Sequence, residues 1–127
     1  MSPVVNLSVL PDTFAVCRLP SDLAVPMWVG SGEFVSITRT ADELSIVCVA
    51  SAVPLTIKAE RGWRALRVDG TLDFALIGIL AALTTVLAEA EISVFAISTY
   101  DTDYLLLKAD SLADAITALT SAGHQVQ

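Results

Sequence analysis

The sequence of 127 residues has only two cysteines and one histidine, and the absence of a CxxC motif and of Cys/His ligand spacing argues against a zinc site. Cys17 and Cys48 both lie in apolar, strand-like runs, where a cysteine is usually a small buried side chain. We therefore expect no metal site and no cofactor. Unpaired cysteines also favour the reducing environment of the cytoplasm.

Basic residues are scarce as well, since 7 lysines and arginines stand against 14 aspartates and glutamates, for a formal net charge of -7. A surface of that sign repels phosphate backbones and anionic lipids, so we expect neither nucleic acid nor a membrane as a partner. The longest apolar run spans residues 76–88, whereas a membrane-spanning helix needs about 20 residues. The first residues carry no signal-peptide pattern.

The sequence also lacks the motifs of common enzyme classes. It has no glycine-rich phosphate loop, and no serine or cysteine in a nucleophile elbow accompanies the single histidine, His124. We therefore expect no catalytic residues. The weakest of our three hypotheses is a hydrolase or isomerase that uses Asp103. In it, Asp101 and Asp103 form an acid and base pair.

Apolar residues, in contrast, make up 54% of the chain, with six glycines and five prolines, a composition typical of a folded domain. From Trp63 onward, strand-like runs and helical three-to-four spacing follow one another in the order β-α-β-β-α-β. This order predicts an α+β, ferredoxin-like fold with the helices on one face of an antiparallel sheet.

The two halves of the chain resemble each other. Shifted by sixty positions, FVSITRTADELSIV (34–47) aligns without a gap with VFAISTYDTDYLLL (94–107). Self-similarity at a fixed spacing indicates repeated units. We therefore expect two modules, residues 1–60 and residues 61–127, and Pro26 limits the first helix of the N-terminal module to one or two turns.

The segment 98–103 concentrates hydroxyl and carboxylate groups between two apolar strands. Polar groups at a joint between buried strands are often functional, because a rigid scaffold presents them there. The alternative is local, since Asp101 and Asp103 also suit the side-chain caps common in turns. We regard this turn as the candidate site.

Three segments carry a resemblance to a known family: GWRALRVDGTLDF (62–74), ISVFAISTYDTDYLLLK (92–108) and the closing AGH (122–124). With the helix start at Gly78 and Ile79, they resemble small bacterial ACT-domain proteins and the ACT repeats of CASTOR-type cytosolic arginine sensors. The resemblance implies two tandem βαββαβ ACT modules that bind an amino acid at a module interface. It also implies a homodimer.

In those sensors the ligand lies between the start of the first helix, the beginning of the next strand and the turn after it. Carried over to this sequence, the resemblance implies eight ligand-binding residues: Leu76, Ile77, Gly78, Ser93, Val94, Thr99, Tyr100 and Asp103. The sensors have an acidic residue near the helix start, where this sequence has Leu76 and Ile77. That difference argues against arginine as the ligand and favours an amino acid with a small or apolar side chain.

The chemistry of a free amino acid suits these residues. The unpaired N–H groups around Ile77 and Gly78 suit its carboxylate, because the start of a helix favours an anion. The Asp103 carboxylate suits its ammonium group through a charge-assisted hydrogen bond. Our first hypothesis is therefore a non-enzymatic amino-acid sensor, and the alternative is an assembly module that binds other proteins and no small molecule.

Overall fold

The computed structural model describes residues 4–30, 32–70 and 77–127, so Leu76 of the predicted site lies outside the described residues. The chain forms two compact units. Residues 1–11 and 64–127 make up the first, which we call the split unit, and residues 12–63 make up the second, the continuous unit. The predicted division into modules 1–60 and 61–127 remains a prediction about sequence repeats.

Eight strands, two α-helices and three short 3-10 turns form the secondary structure of the described residues. The strands and α-helices are numbered along the chain. In chain order they are β1 (Asn6–Val9), β2 (Phe14–Leu19), β3 (Ser36–Arg39), β4 (Leu44–Val49), β5 (Ala59–Val68), α1 (Ile79–Glu89), β6 (Phe95–Ser98), β7 (Asp103–Lys108), α2 (Leu112–Ser121) and β8 (Gln125–Val126). From β5 onward the order is β-α-β-β-α-β, which confirms the predicted α+β, ferredoxin-like arrangement.

The sheet of the split unit is mixed. β1 runs antiparallel to the end of β5, with Leu7 opposite Val68, and parallel to β8, with Leu7 also opposite Val126. β7 pairs with β5 and, antiparallel, with β6. An additional strand from the N-terminus, β1, therefore lies between β5 and β8.

The core of the split unit lies between this sheet and the helices. Alternate residues of a strand point to one face, so Leu105 and Leu107 of β7 lie together in this core, whereas Leu106, which is also fully buried, points to the other face. Leu83 and Leu87 of α1 are four residues apart and lie on the same side of the helix. The buried cluster consists of Leu7, Leu66, Val68, Leu83, Leu87, Ile92, Leu105, Leu107, Ala115 and Leu119.

Both helices end in the same way. After α1, Glu91 N–H donates to the Ala88 carbonyl and Ile92 N–H to the Leu87 carbonyl. After α2, Gly123 N–H donates to Thr120 and His124 N–H to Leu119. This is the Schellman motif, in which the residue after the C-cap has positive φ. Glu91 has φ 62° and Gly123 has φ 101°.

The continuous unit is antiparallel. Its strands lie in the order β3-β4-β2-β5, and β2 pairs with β4 along its full length, from Phe14 opposite Val49 to Leu19 opposite Leu44. Among its described residues there is no α-helix, and the short helix expected before Gly30 is a single 3-10 turn, Met27–Val29, that begins directly after Pro26. Proline at that position restricts the preceding residue to extended backbone.

No helix among the described residues is long and apolar enough to cross a membrane.

Candidate functional site

The β6–β7 turn is closed by two threonines. Thr99 N–H donates to the Thr102 carbonyl at 2.8 Å, and the Thr99 hydroxyl donates to the same oxygen at 3.1 Å. In return, Thr102 N–H donates to the Thr99 hydroxyl at 3.3 Å. These local bonds fix the turn that carries Tyr100 and Asp101, both of which are exposed to solvent.

Asp103 begins β7 directly opposite Ser98 of β6. The Ser98 hydroxyl donates to Asp103 Oδ1 at 2.6 Å, and the Asp103 side chain is half-buried. Its second oxygen has no hydrogen bond within the part of the chain that the structure describes. The carboxylate is therefore held in one orientation and presents an oxygen that can accept from an ammonium group.

Thr102 anchors the turn to the rest of the split unit. Its hydroxyl donates to the Val68 carbonyl at 2.7 Å, and the residue is only 6% exposed. Val68 is the last residue of β5, so this bond holds the turn beside the point where the chain leaves for α1. The prediction missed Thr102, because nothing in the sequence distinguishes it from its exposed neighbour Asp101.

Asp69, immediately after β5, is a second residue that the prediction missed. The Ser8 hydroxyl is 2.7 and 2.9 Å from its two carboxylate oxygens, and Arg67 Nη2 lies 3.4 Å from Oδ1. These contacts fix the backbone between Val68 and Gly70. The end of β5 is therefore held from both sides, by Ser8 through Asp69 and by Thr102 through Val68.

The remaining predicted residues lie elsewhere. Val94 is half-buried and packs against the hydrophobic core, whereas its neighbour Ser93 is exposed. Ile77 is 91% exposed. Gly78 is the N-cap of α1 and has φ 87°, a left-handed conformation that favours glycine.

A cleft of about 500 Å³ runs along α1. It brings Ile77 and Gly78 together with His124, whereas Thr99, Tyr100 and Asp103 are not among its lining residues. Its full lining is Val4, Ile77, Gly78, Ala81, Ala82, Thr85, Val86, Glu89, Ala122 and His124. The described part of the predicted site is therefore divided: Ile77 and Gly78 line the cleft, Thr99, Tyr100 and Asp103 lie in the β6–β7 turn, and Ser93 and Val94, just before β6, belong to neither place.

The thiols of Cys17 and Cys48 are buried in the continuous unit. Burial raises the pKa of both, and for Cys48 it raises the pKa to about 11. A raised pKa lowers the fraction of thiolate, the form that acts as a nucleophile and as a metal ligand. Within residues 4–30, 32–70 and 77–127, no group of three or more His, Cys, Asp and Glu side chains is placed to hold a metal ion.

Two protein-family models match consecutive segments of the chain. A family model for the ACT domain matches residues 58–121, and a second model, for an N-terminal domain, matches residues 12–56. No curated protein matches the chain.

Among solved structures, a protein from Agobacterium tumefaciens is 35% identical, with a TM-score of 0.94 over 99% of this chain and 94% of that one. The regulatory subunit of aspartate kinase from Thermus thermophilus is 9% identical, with a TM-score of 0.67 over 95% of this chain and 99% of that one.

Aspartokinase III of E. coli in complex with lysine and aspartate is 12% identical, with a TM-score of 0.56 over 94% of this chain and 33% of that one. At these low identities the two kinases share the fold alone. The family model, which covers just over half of the sequence, and the β-α-β-β-α-β order together show that the chain belongs to the ACT-domain family.

Proposed function

We propose that this ACT-domain chain is a non-enzymatic regulatory protein of the cytoplasm that binds a free amino acid and acts as a homodimer. The observation that carries the proposal is the β6–β7 turn, where Ser98 fixes the carboxylate of Asp103 and Thr102 ties the turn to β5. A site that is rigid before the ligand arrives loses little entropy on binding.

The ligand's ammonium group binds the Asp103 carboxylate. A hydrogen bond to a charged group contributes roughly 1.5–3 kcal/mol. Thr99 and Tyr100, on the same turn, flank the ligand. The amino-acid-bound aspartokinase of the same fold is consistent with a ligand of this class.

The distance between the two ends of β6 supports the homodimer. Thr99 comes five residues after Val94, and an extended chain advances about 3.3 Å per residue, so the two lie roughly 16 Å apart. A free amino acid is too small to touch both. One ligand contacts Ser93 and Val94 as well as Thr99 and Asp103 only when the two pairs come from different copies of the chain.

The test is a thermal-shift screen against the twenty amino acids at millimolar concentration, with sedimentation to measure the oligomeric state. A ligand at 100 times its Kd adds about 2.7 kcal/mol of stability. We expect a shift with one or two related amino acids, lost in Asp103→Asn and kept in Asp101→Asn. Asp101 is the matched control because it is an exposed carboxylate on the same turn.

The alternative is an assembly module without a small-molecule ligand, in which the same surfaces bind other proteins. Exposed apolar side chains favour it, since Ile77 is 91% and Tyr100 79% exposed. A chain that sediments as a dimer, shows no shift with any amino acid and is indifferent to Asp103→Asn supports this alternative and contradicts the sensor.

A further inference from the structure

We propose that a cleft on the sheet of the continuous unit, which we call the β2 cleft, is a second small-molecule site and binds a small hydroxy acid with one carboxylate. Arg18 and Lys58 hold the carboxylate, and hydroxyl groups of the ligand donate to the two glutamates of the cleft. The proposal goes beyond the amino-acid site and does not depend on ligand binding at the β6–β7 turn.

The β2 cleft has a volume of about 180 Å³ and lies over β2, between β4 and β5. Drug-sized ligands occupy pockets of roughly 300–1,000 Å³, so this cleft suits a smaller molecule. Its lining includes Val16, Arg18, Glu43, Ser45, Lys58 and Glu60. All of them belong to the continuous unit, so the site needs no residue of the split unit.

The pairing of the strands places two cations side by side in this cleft. Cys17 of β2 is opposite Ala59 of β5, so the next residue, Arg18, is opposite Lys58. The side chains of directly opposite residues begin roughly 5 Å apart on the same face of a sheet. On its other side Arg18 is opposite Ser45 of β4, whose hydroxyl is a third donor. One anion can therefore contact both cations and the hydroxyl.

This pair of cations destabilises the free chain, because like charges directly opposite each other in a sheet repel. Arg18 Nη2 donates to the Asp42 carbonyl at 2.9 Å, which orients the guanidinium without neutralising its charge. The Lys58 ammonium forms no ion pair or hydrogen bond with another of the residues that the structure describes. A bound carboxylate removes the repulsion and accepts charge-assisted hydrogen bonds from both side chains.

The two glutamates of the cleft, unlike the cations, are far apart. Glu60 lies on β5, level with Val16 of β2. Glu43 comes directly before β4, level with residue 20. Four residues along β2 and two strand spacings across it separate their backbones by roughly 16 Å. The glutamates therefore cannot hold one ammonium group together, and each can accept from a separate donor.

This arrangement of charges selects the ligand class. The glutamates repel a second carboxylate, so the ligand has only one. The ammonium group of an amino acid is next to its carboxylate and would lie close to Arg18 and Lys58, which repel it. Hydroxyl groups are neutral donors that reach the glutamates without this repulsion.

The experiment is a titration of the full chain, followed by amide NMR, with glycerate and with probes that each change one group. Propionate lacks the hydroxyl groups, glycerol lacks the carboxylate, and L-serine has an ammonium group in place of one hydroxyl of glycerate. We expect glycerate to bind most tightly, with the largest shifts at the amides of residues 16–18, 43–45 and 58–60. Propionate or L-serine binding as tightly as glycerate would overturn the hydroxy-acid class. Shifts confined to the β6–β7 turn would overturn the site itself.

Arg18→Gln tests the guanidinium, and Arg39→Gln is its matched control. Arg39 is also exposed, also donates to a backbone carbonyl, that of Ser21, and does not line the β2 cleft. We expect Arg18→Gln to weaken glycerate binding about tenfold and Arg39→Gln to leave it unchanged. Equal affinities of the two variants would contradict the proposal.

Lys58→Gln separates binding from stability. It removes one of two repelling charges, so without ligand its melting temperature should be no lower than that of the wild type. Its affinity for glycerate should nevertheless fall about tenfold. A less stable free chain, or undiminished binding, would contradict the assigned role of the charge pair. A wild-type chain that shows no shifts with glycerate at about 10 mM refutes the proposal.

Discussion

Replacement of Glu91 by glycine should stabilise the protein. Glu91 has φ 62° and is the one non-glycine residue with positive φ among the described residues. It follows the C-cap of α1 and is held there by two hydrogen bonds, its own to Ala88 and that of Ile92 to Leu87. The fold thus requires a left-handed residue, and glutamate adopts that conformation against its steric preference.

The expected gain in the free energy of unfolding of Glu91→Gly is the difference between two effects. The left-handed conformation costs an L-residue roughly 1–2 kcal/mol relative to glycine. Glycine, in turn, gives the unfolded chain more freedom, which costs roughly 0.4–1 kcal/mol of stability. The net gain in the free energy of unfolding is therefore about 0.5–1 kcal/mol, a rise of a few degrees in Tm for a chain of this size.

Urea denaturation of three variants measures this gain. Glu91→Gln is the control for the loss of a negative charge near a helix C-terminus, where the dipole disfavours it. Gly123→Ala is the control of opposite sign. Gly123 occupies the same position after α2 with φ 101°, and an added Cβ there meets nothing closer than Val4 at 3.9 Å. The Gly123→Ala variant should therefore lose stability through backbone strain alone.

The reasoning fails if Glu91→Gly is no more stable than Glu91→Gln. That result would mean that the positive φ of Glu91 carries no energetic cost in the folded chain. A Gly123→Ala variant as stable as the wild type would mean that the positive φ of the residue after α2 carries no energetic cost either.

Three further predictions concern the core and the turn. Thr102→Val should cost roughly 1–3 kcal/mol in urea denaturation, because it leaves the buried Val68 carbonyl without its donor, whereas Thr102→Ser should cost less. Leu105→Ala, at a fully buried position, should lower the free energy of unfolding by roughly 2–5 kcal/mol. Leu55 is 92% exposed, so Leu55→Ala should change it by no more than about 0.5 kcal/mol. Equal losses in the two variants would contradict the assigned core. Because the pKa of Cys48 is raised to about 11 in the folded chain, the folded state holds this proton more tightly than the unfolded state, so stability should fall as pH rises from 9 toward 11. Cys48→Ala should reduce that slope, and an unchanged slope would contradict the burial of the thiol.

The order of elements from β5 onward was predictable from sequence, because helices and strands leave different apolar patterns. Leu83 and Leu87 show the spacing of a helix, whereas residues 104–107 form a short continuous apolar run between Asp103 and Lys108, which is consistent with a buried strand. The polar turn was also evident, since Ser98 and Asp103 stand out between apolar strands. These are local signals, and they survive in any tertiary context.

The contacts that organise the candidate sites are not local. Val5 and His124 are 119 positions apart, and their hydrogen bond depends on the parallel pairing of β1 with β8. The Thr102 hydroxyl meets Val68 across 34 positions. No spacing in the sequence specifies either partner, so the cleft and the anchor of the turn could not be predicted without the fold.

The interrupted path of the chain through the split unit has a consequence for synthesis on the ribosome. β1 emerges first, yet its antiparallel partner is the end of β5 and its parallel partner is β8, which is made last. Residues 12–63 are contiguous and have all their strand partners as soon as β5 has been made. Domains generally fold as units during synthesis. The middle of this chain is therefore expected to fold before β1 finds its partners, and the sheet of the split unit is completed only after β8 has been made.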